Sequence, residues 1–417
     1  MAQLSDDCFA FGGPMMSIEE AVALITARID PVTAVETLAL AQSDGRVLAQ
    51  DVRAEAGLPP FDNSAVDGWA VAFADIDPKG RTTLPVRGRI AAGGSAEGVA
   101  AGGCAVRMFT GAPLPALADT IFMQEDVVRQ ADEVVLPPGL KPGANVRRAG
   151  EDVARGSLVL PAGRRLRPQD LALASALGRV GLPVRTRVRV ALLSNGDEVQ
   201  EPGTPLRSGA IYDATRVMLR AMLERAGAMV TDLGFFGDDR DALRDSLADA
   251  ARHHDLIVTS GGVSTGEEDH VKAAVEAAGS LVFWRIGIKP GRPVAMGVIR
   301  GTPLLGLPGN PVAAFVTFCY VVRPVLDRLA GALPQAPLTL PVALAFDYRK
   351  KLGRREFVRV SLESRADGGL VARQFPKIGA GVITSLTEAD GLVVLAEDFE
   401  SIETGTIVPF VPFASLL

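Results

Sequence analysis

The chain has 417 residues, of which 48% are hydrophobic, and it carries a formal net charge of −6. This length exceeds one ordinary hydrophobic core, so two to four domains are expected. No run of about 20 apolar residues occurs, which excludes an ordinary membrane-spanning helix, and the acidic balance gives no general attraction to nucleic acid. We therefore expect neither a membrane nor a nucleic acid as partner.

The cysteine and histidine content indicates the compartment. Cys8, Cys104 and Cys319 are isolated and lack metal-ligand spacing, and only three histidines are present. Isolated thiols are typical of a reduced cytosolic protein, and so few histidines argue against a His-rich zinc or iron site. Asp6 and Asp7 stand where a secretory signal would have a basic start before an apolar run. We expect a cytoplasmic protein.

The N-terminal part predicts two helices on either side of a β region. Ser17 and Glu20 have the spacing of a capping box before apolar residues that recur on one face, and residues 167–178 return to a helical pattern. Between them lies a region rich in Gly and Pro that is typical of a small all-β unit, with apolar runs at 69–73, 106–109, 120–123 and 133–136. We expect the helical segments to pack together, with the β unit inserted.

The region from about residue 185 to 331 alternates strand and helix. Asp213 is expected to cap a helix that ends at Gly227, and Leu243 and Leu247 mark a second helix. The predicted strands are 188–193, 230–235 and 256–259. Such alternation predicts a parallel sheet covered on both faces, in which ligands bind at the carboxyl ends of the strands.

The C-terminal region has a strand pattern instead of the alternation of strand and helix. Past Pro334 the helical pattern ends, and five runs read as strands, at 338–346, 356–362, 370–375, 392–395 and 407–413. Successive strands of this kind predict a β-barrel or a sandwich.

A glycine-rich loop follows the strand at 256–259. Ser260, Gly261, Gly262 and Val263 begin it, and successive N–H groups there can form an anion-binding nest before a helix. Asp269 stands where a carboxylate can hold hydrated Mg²⁺, which prefers oxygen ligands. The alternative interpretation is a tight turn followed by a helix cap.

Two acidic turns are expected at the same edge of the sheet. Gly196 and Glu198 follow the strand at 188–193, and Asp238 and Asp239 follow the strand at 230–235. Capping of a helix that starts near Arg240 is the alternative role of the second pair. The loop at 194–198 and the loop at 260–269 are both acidic and glycine-bearing, and two such loops at one edge are less easily explained as capped turns alone.

Two loops combine proline with glycine, at 289–293 and 307–311. Because proline fixes φ and glycine permits reversal, such loops present their backbone groups rigidly. Lys289 lies in the first loop, and Pro308 and Pro311 lie in the second. Rigid presentation suits recognition of a phosphate or oxyanion, and equally suits ordinary strand connection.

Three polar loops belong to the β unit and its end. Asp67 lies in a run dense in Asp, Asn and Ser, Thr110 follows Phe109, and Arg147 and Asp152 lie in a charged turn. Turns rich in Asp and Asn are often structural, and surface arginines are often only solvated. The residues alone do not decide between a structural and a functional role for these loops.

The motifs together resemble one family. PFDNSAVDGWA, RMFTGAPLP, NVRRAGEDV, SNGDEV, TSGGVSTGEEDH, IKPGRP and LPGNP occur in the order found in molybdopterin molybdenumtransferases, which include bacterial MoeA and the related domain of animal gephyrin. The resemblance runs from about Ser17 to Phe410. Each motif alone is modest, but their joint order is specific.

This resemblance implies a multidomain α/β plus β fold and a homodimer whose active cleft is shared between subunits. The cleft would lie between the α/β domain of one subunit and the inserted β domain of the other. The parts expected are a discontinuous helical linking domain (1–53 and 147–183), an inserted small β domain (54–146), a three-layer α/β molybdopterin-binding domain with a mostly parallel sheet (184–332) and a C-terminal β-barrel (333–417).

The resemblance also implies a reaction. Adenylylated molybdopterin would be cleaved in the presence of molybdate and Mg²⁺, giving molybdenum cofactor and AMP. The partners implied are a molybdopterin adenylyltransferase, which supplies the substrate, and the molybdoenzymes that accept the cofactor. Charge accumulates on phosphoryl oxygens in such a cleavage, so positioning and electrostatic stabilisation are expected to dominate catalysis.

The family positions map onto particular residues of this chain. The hypothesis assigns the phosphate to the Gly261 and Gly262 N–H groups and molybdate to Lys289 and Arg354, with Asp67 as a base or an orienting group. The residues implied to be catalytic are Asp67, Thr110, Asp152, Glu198 and Asp269. Those implied to bind substrate are Arg147, Ser260, Gly261, Gly262, Val263, Lys289, Pro308, Pro311 and Arg354. Those implied to bind the metal are Glu198, Asp238 and Asp269.

Three departures from the family pattern bear on this assignment. Arg285 stands where relatives often carry lysine, and Ala214 and Thr215 replace a more polar pair, which puts hydrogen bonding there in question. Ala380 lies where many members have a serine, so it cannot donate a hydroxyl to an oxyanion.

Two other functions compete with this one. An adenylyltransferase needs only a compact α/β domain, whereas this chain has two further β regions with matching motifs. A scaffold that merely binds the cofactor or a membrane-receptor partner has no need to keep the acidic residues and Thr110 together. Enzyme activity is the favoured interpretation.

Overall fold

The computed structural model describes residues 16–416 apart from 33, 237–239, 262–274, 276, 278, 292 and 367. Among the helices in those ranges, none combines the length and apolar character needed to cross a bilayer. Asp238, Gly262, Val263 and Asp269 of the predicted site lie outside the described residues.

The first helix, Ile18–Thr26, begins as predicted. Ser17 Oγ accepts a hydrogen bond from the Glu20 N–H at 3.1 Å, and the Glu20 carboxylate accepts one from the Ser17 N–H at 2.8 Å. Its apolar face belongs to the core of the α/β unit and packs on the helix Arg323–Leu329. The expected packing against the 167–178 helix was wrong for this element, because an apolar stripe shows that a face is buried but not against what.

A small unit joins the chain before the β region to the chain after it. Val35–Ala39 pairs antiparallel with Gly181–Arg185, and Val52–Arg53 pairs with Leu158–Leu160. The helix Pro168–Ala176 confirms the predicted helix there. Its apolar residues share one core with residues from both chain segments, including Leu48, Leu160, Ala174, Leu182 and Val184. The domain boundaries given above stay a prediction.

The β unit between them is a six-stranded sheet, which confirms the predicted all-β pattern. Thr120–Met123 and Glu133–Leu136 coincide with predicted strands. In spatial order the sheet contains Thr120–Met123, Gly68–Val71, Ala105–Met108, Thr82–Ile90, Glu133–Leu136 and Val128–Gln130. Asn63–Ser64 and Val146–Arg147 form a separate short antiparallel pair beside it. Single helical turns lie at Leu40–Gln42, Phe73–Asp75 and Gln124–Asp126.

The α/β unit also has a six-stranded sheet, and it is mostly parallel as predicted. In spatial order it contains Met229–Phe236, Arg189–Asn195, Leu256–Ser260, Thr302–Leu307, Pro293–Ile299 and Gly279–Arg285. The first four strands run parallel, and the last two join antiparallel. The described helical segments around it are Thr215–Arg225, Arg240–His253, Pro311–Thr317, a π-helical turn Phe318–Val322 and Arg323–Leu329. Val199–Gln200 and Ile211–Tyr212 form a small parallel pair.

The C-terminal strands close into a barrel, which decides between the two predicted architectures. Five strands form the ring, in the order Leu340–Leu344, Leu370–Gln374, Arg355–Ser364, Gly391–Leu395 and Ile407–Pro412, the last of which pairs with the first. Outside the ring lie the pair Tyr348–Arg349 and Ser401–Ile402, the helix Thr384–Thr387 and the turn Phe413–Ser415.

The barrel is joined to the α/β unit by both backbone and core. Ile288–Lys289 pairs parallel with Arg355 and Glu356 at the start of the longest barrel strand. Phe357, Leu392 and Val411 of the barrel belong to the same buried cluster as the α/β helices, and the Phe357 ring lies 4.4 Å from that of Tyr320. The junction is therefore continuous hydrophobic core.

Asp170, in the first turn of Pro168–Ala176, is a buried carboxylate, 3% exposed. Arg164 Nη2 lies 2.7 Å and Arg167 Nε 3.1 Å from its oxygens, and the Arg167 N–H donates to it at 3.0 Å. Burial alone would raise the pKa of Asp170, but these hydrogen bonds outweigh it and lower the pKa from 3.8 to about 2.

We predict that Asp170→Asn destabilises the protein by about 2 kcal/mol at neutral pH. Because the folded pKa lies below the unfolded one, this stabilisation is complete above pH 3.8 and disappears as the pH falls through about 2. Urea unfolding of wild type and variant between pH 7 and 2.5 should show the difference shrinking. Asp44→Asn, at an exposed position, serves as control and should change stability by less than about 0.5 kcal/mol. A difference that is constant over this pH range would contradict the prediction.

Candidate functional site at the edge of the sheet

The carboxyl ends of three adjacent parallel strands meet at one edge of the α/β sheet. Ser194 is the register partner of Ser260, and Ser260 is the register partner of Leu307. The loops that begin at Gly196, Gly261 and Pro308 therefore leave the sheet side by side. This edge is where an open α/β sheet binds its ligands.

Gly261 permits the closest backbone approach at this edge. Its φ is +81°, and a Cβ atom there would lie 2.2 Å from the Asn195 carbonyl oxygen. Its N–H donates to the Leu307 carbonyl at 3.0 Å. The hypothesis that this N–H holds a phosphate therefore needs correction, because the donor is already used inside the protein. Glycine is required at 261 by geometry.

The adjacent proline–glycine loop is held by a side-chain hydrogen bond. Thr215 Oγ1 donates to the Gly309 carbonyl at 2.9 Å, so the departure at 214–215 keeps a polar contact. The Asp213 carboxylate accepts the Arg216 N–H at 2.9 Å, which confirms the predicted cap of this helix. Pro311 begins the next helix, in which the Val312 N–H donates to the Ala380 carbonyl at 3.1 Å. Residue 380 thus contributes its backbone here.

Oxygen atoms suited to a hard cation lie at the same edge. Glu198 is exposed, with its carboxylate 2.8 Å from where a Cβ of Gly196 would lie. Ser194 Oγ, Asn195 Oδ1 and Thr259 Oγ1 are buried and have no hydrogen-bond partner among the described residues. Within those residues no three His, Cys, Asp or Glu side chains are grouped to hold a metal ion. The donor chemistry fits Mg²⁺, although two of its three predicted ligands lie outside the described ranges.

A cavity of about 300 Å³ opens beside this edge, between the α/β unit and the barrel. Lys289 and Pro308 from the α/β unit and Arg354 from the barrel line it together, although 65 residues of sequence separate the two cations. Its other polar lining residues are Asn310, Tyr348, Glu356, Arg359 and Gln374. The described lining residues thus include three cations and one carboxylate.

The carboxylate in this cavity is Glu356, which the sequence analysis missed. It is 1% exposed and accepts hydrogen bonds from Lys289 Nζ at 2.9 Å, Arg354 Nη2 at 2.9 Å and Tyr348 Oη at 2.8 Å. Burial raises the pKa of Tyr348, and the hydrogen bond to Glu356 raises it further, so the phenol stays a neutral donor. The sequence signal that could have indicated it is an acidic residue directly before the apolar strand residues Phe357 and Val358.

Arg359 is the third cation of the cavity and was also missed. It is 6% exposed, its Nε donates to Ser385 Oγ at 3.1 Å, and its Nη2 donates to the Gly379 carbonyl at 3.1 Å. Burial lowers the pKa of this guanidinium, which nevertheless stays charged as arginine does in proteins. It adds positive potential to the space that Lys289 and Arg354 face.

The predicted residues of the β unit form a second group. Asp67 Oδ1 accepts hydrogen bonds from the Thr110 N–H and hydroxyl, each at 2.8 Å. These bonds hold the pKa of the Asp67 carboxyl below its usual value. Arg147 pairs through its backbone with Asn63, and the Asp152 N–H donates to the Leu58 carbonyl, while both side chains are exposed. The loop is tied down by an ion pair between Asp62 and Arg148.

Arginines and aromatic rings alternate beside Asp67. The Arg107 guanidinium lies 5.3 Å from the Trp69 ring and 4.9 Å from the Phe109 ring, and that of Arg89 lies 4.6 Å from Phe109. Such stacking holds cations without neutralising them. Arg89 and Arg107 therefore stay available as cations on the same unit as Asp67 and Thr110.

Direct polar contacts between the two groups are absent from the described part of the chain. Among the described residues, no hydrogen bond or ion pair joins Asp67, Thr110, Arg147 or Asp152 to the cavity or to the sheet edge. The structure brings together Ser260, Gly261, Pro308 and Pro311 at the edge, and Lys289 and Arg354 in the adjoining cavity.

The chain matches known families over almost its whole length. Residues 16–178 match the MoeA N-terminal region (domain I and II), residues 191–328 match the probable molybdopterin binding domain, and residues 341–413 match the MoeA C-terminal region (domain IV).

Individual proteins agree with these matches. The chain is 34% identical to the molybdopterin molybdenumtransferase of Haemophilus influenzae, covering 97% of this chain and 100% of the relative. It is 39% identical to molybdopterin molybdenumtransferase 2 of Mycobacterium tuberculosis, covering 89% and 93%. The crystal structure of the molybdopterin biosynthesis moeA protein from Pyrococcus horikoshii OT3 superposes with a TM-score of 0.83 at 29% identity, covering 96% of this chain and 100% of that chain.

We predict that Gly261→Ala destabilises the protein by more than the usual penalty for a left-handed alanine. The φ of +81° alone should cost about 1–2 kcal/mol, and the 2.2 Å approach to Asn195 forces the backbone to move as well. Gly209→Ala is the matched control, because its φ is +78° and nothing lies within 4 Å of its Cβ position. Urea unfolding should rank Gly261→Ala below Gly209→Ala. Equal losses would mean that the loop adapts without cost.

Proposed function

The chain belongs to the molybdopterin molybdenumtransferase (MoeA) family, and we propose that it inserts molybdenum into molybdopterin by cleaving adenylylated molybdopterin in the presence of molybdate and Mg²⁺. The products are molybdenum cofactor and AMP. The observation that carries this proposal is the cationic cavity at the edge of the α/β sheet, which offers an oxyanion site directly beside a glycine-lined ligand edge.

Molybdate is a tetrahedral dianion, and the cavity suits it in charge and in donor type. Lys289 offers an ammonium that is about half exposed, and Arg354 offers a guanidinium that is 13% exposed. The Nε of Arg354 is buried and has no hydrogen-bond partner among the described residues. Charge-assisted hydrogen bonds from such groups are the stronger ones in proteins.

The sheet edge suits the adenylylated pterin. Pro308 and Gly309 lie against the Gly261 turn, so backbone rather than bulky side chains faces the ligand there. Glu198 with Asp238 and Asp269 would hold Mg²⁺, and the ion when bound would offset charge on the phosphate oxygens. Ser260, Gly262 and Val263 stay the proposed phosphate loop, with Gly261 providing the close approach.

Asp67 is assigned an orienting role rather than that of a base. Its lowered pKa makes the carboxylate a weaker proton acceptor, and Thr110 already occupies one of its oxygens. The other oxygen can accept from a pterin N–H. Arg147 and Asp152, exposed on the same unit, would line the cleft beside it.

The reason to propose a cleft shared across a homodimer is that no hydrogen bond or ion pair of the described residues joins the cavity to the Asp67 group within one chain. A symmetric dimer would place one group of each subunit opposite the other. In the cell we expect a cytoplasmic enzyme that receives its substrate from an adenylyltransferase and passes the cofactor to molybdoenzymes.

We predict that the protein releases AMP from adenylylated molybdopterin only when molybdate and Mg²⁺ are present. Lys289→Met should raise the molybdate KM by about 10–100-fold, because it removes one cation from the cavity. Asp269→Asn should abolish AMP release while leaving the fold intact. Both AMP and active cofactor should be followed at varied molybdate concentration, with the exposed Lys351→Met as control.

The same assay separates the competing function. Net adenylylation of molybdopterin on incubation with ATP would identify an adenylyltransferase, and an absence of AMP release would leave a binding scaffold. Wild-type AMP release from Asp269→Asn would remove that residue from the mechanism.

We predict that Asp67→Asn and Lys289→Met, each strongly impaired alone at a molybdate concentration below the wild-type KM, restore activity at that concentration when they are co-expressed with different affinity tags. Half of the randomly formed dimers carry both substitutions, and a cleft shared across the interface leaves one of their two sites intact. About a quarter of the wild-type activity should return. No recovery in the doubly tagged dimer would show that both groups act within one subunit.

A further inference from the structure

Building on the proposed function, we infer that Glu356 is a positioning residue, whose buried carboxylate holds Lys289 and Arg354 in the geometry that captures molybdate. It lies in the wall of the oxyanion cavity and contacts both cations directly. The residue itself does not contact the anion in this assignment. It acts through the two cations.

Both oxygens of Glu356 are already occupied inside the protein. Oε2 accepts from Lys289 Nζ at 2.9 Å and from Tyr348 Oη at 2.8 Å, and Oε1 accepts from Arg354 Nη2 at 2.9 Å. A carboxylate that is 1% exposed needs such partners, because an unpaired buried charge is strongly destabilising. The three donors complete the hydrogen bonding of the carboxylate, and the carboxylate in turn holds the three side chains in position.

The cations keep further donors for a ligand. The Lys289 ammonium has three N–H groups and gives one to Glu356, and the Arg354 guanidinium has five. Holding one donor of each cation directs the remaining ones, which is how a preorganised anion site avoids the cost of ordering long side chains at binding.

The backbone reinforces the same geometry. Lys289 and Glu356 are register partners in the parallel pairing between the α/β unit and the barrel, so their side chains leave the backbone next to each other. Lys350 Nζ donates to the Arg354 carbonyl at 2.8 Å, and the Arg355 N–H donates to the Gly287 carbonyl at 2.7 Å. The positions of both cations are therefore set from two sides of the domain junction.

A negative charge in an anion site has two possible effects, and they differ in sign. If Glu356 only contributed charge, its removal would leave Lys289, Arg354 and Arg359 without an opposing carboxylate, and molybdate would bind more tightly. If Glu356 positions the cations, its removal frees them, and molybdate binds less tightly although the cavity becomes more positive. The direction of the change therefore decides between the roles.

The test uses two variants of the full-length protein. Glu356→Gln removes the charge and keeps the shape, and Glu356→Asp keeps the charge and shortens the reach to the three donors. Titration calorimetry measures the Kd for molybdate alone, and AMP release measures the molybdate KM and kcat. We expect both variants to weaken molybdate binding and raise its KM by about 10-fold or more, with a smaller change in kcat.

Glu363→Gln is the matched control, because this carboxylate lies on the same strand, pairs with Arg373 and is about half exposed. It should leave the molybdate Kd unchanged. Tighter binding by Glu356→Gln, or a lowered melting temperature with an unchanged molybdate Kd in both variants, would overturn the inference. Should Glu356→Gln fail to fold, Glu356→Asp decides alone, because it keeps the buried charge.

Different measurements test the proposed function and the positioning role of Glu356. If the wild-type protein shows no molybdate-dependent AMP release, the proposed function fails. If it does, and both Glu356 variants keep the wild-type KM and Kd, only the positioning role fails.

Discussion

A carboxylate cut off from water must find donors within the protein, and Glu356 finds three of them at the junction of two folding units. One comes from a loop of the α/β unit and two come from the barrel. The hydrophobic core is continuous across this junction, and the short strand Ile288–Lys289 extends the barrel. The cavity depends on three contacts together: the hydrogen bonds to Glu356, the continuous hydrophobic core and the pairing of Ile288–Lys289 with the barrel. Moving any one of them would separate Lys289 from Arg354.

The shape of the sheet edge is set by a different constraint, which is the close packing of the loops at the ends of the parallel strands. Three neighbouring strands deliver their loops to one place, and the Gly261 turn fits only because it has no side chain. Its N–H is consumed by Leu307, so the glycine serves proximity rather than anion binding. The edge and the cavity share Pro308, and the proposed function relies on this continuity to handle a nucleotide-bearing substrate together with an oxyanion.

The β unit contributes a group of another kind. Asp67 is an ionised acceptor held by Thr110, and it lies next to arginines that are stacked on aromatic rings rather than paired with acids. Under the proposed function this group orients the substrate and the cavity captures the oxyanion. No hydrogen bond or ion pair of the described residues joins the two within one chain, which is why we propose that the part of Asp67 in catalysis depends on a second subunit.

The sequence alone determined the local features. Alternation of strand and helix predicted the mostly parallel sheet, the capping boxes and turns predicted where helices begin, and seven ordered motifs predicted the family, because these properties depend on neighbouring residues. It did not reveal Glu356 or Arg359, the packing of Ile18–Thr26, or the use of the Gly261 N–H. These features depend on which segments, distant in sequence, come into contact. The hydrophobic periodicity of a segment does not show which other segment it packs against. Only the tertiary structure, by pairing residue 289 with residue 356, made a site out of two separate motifs.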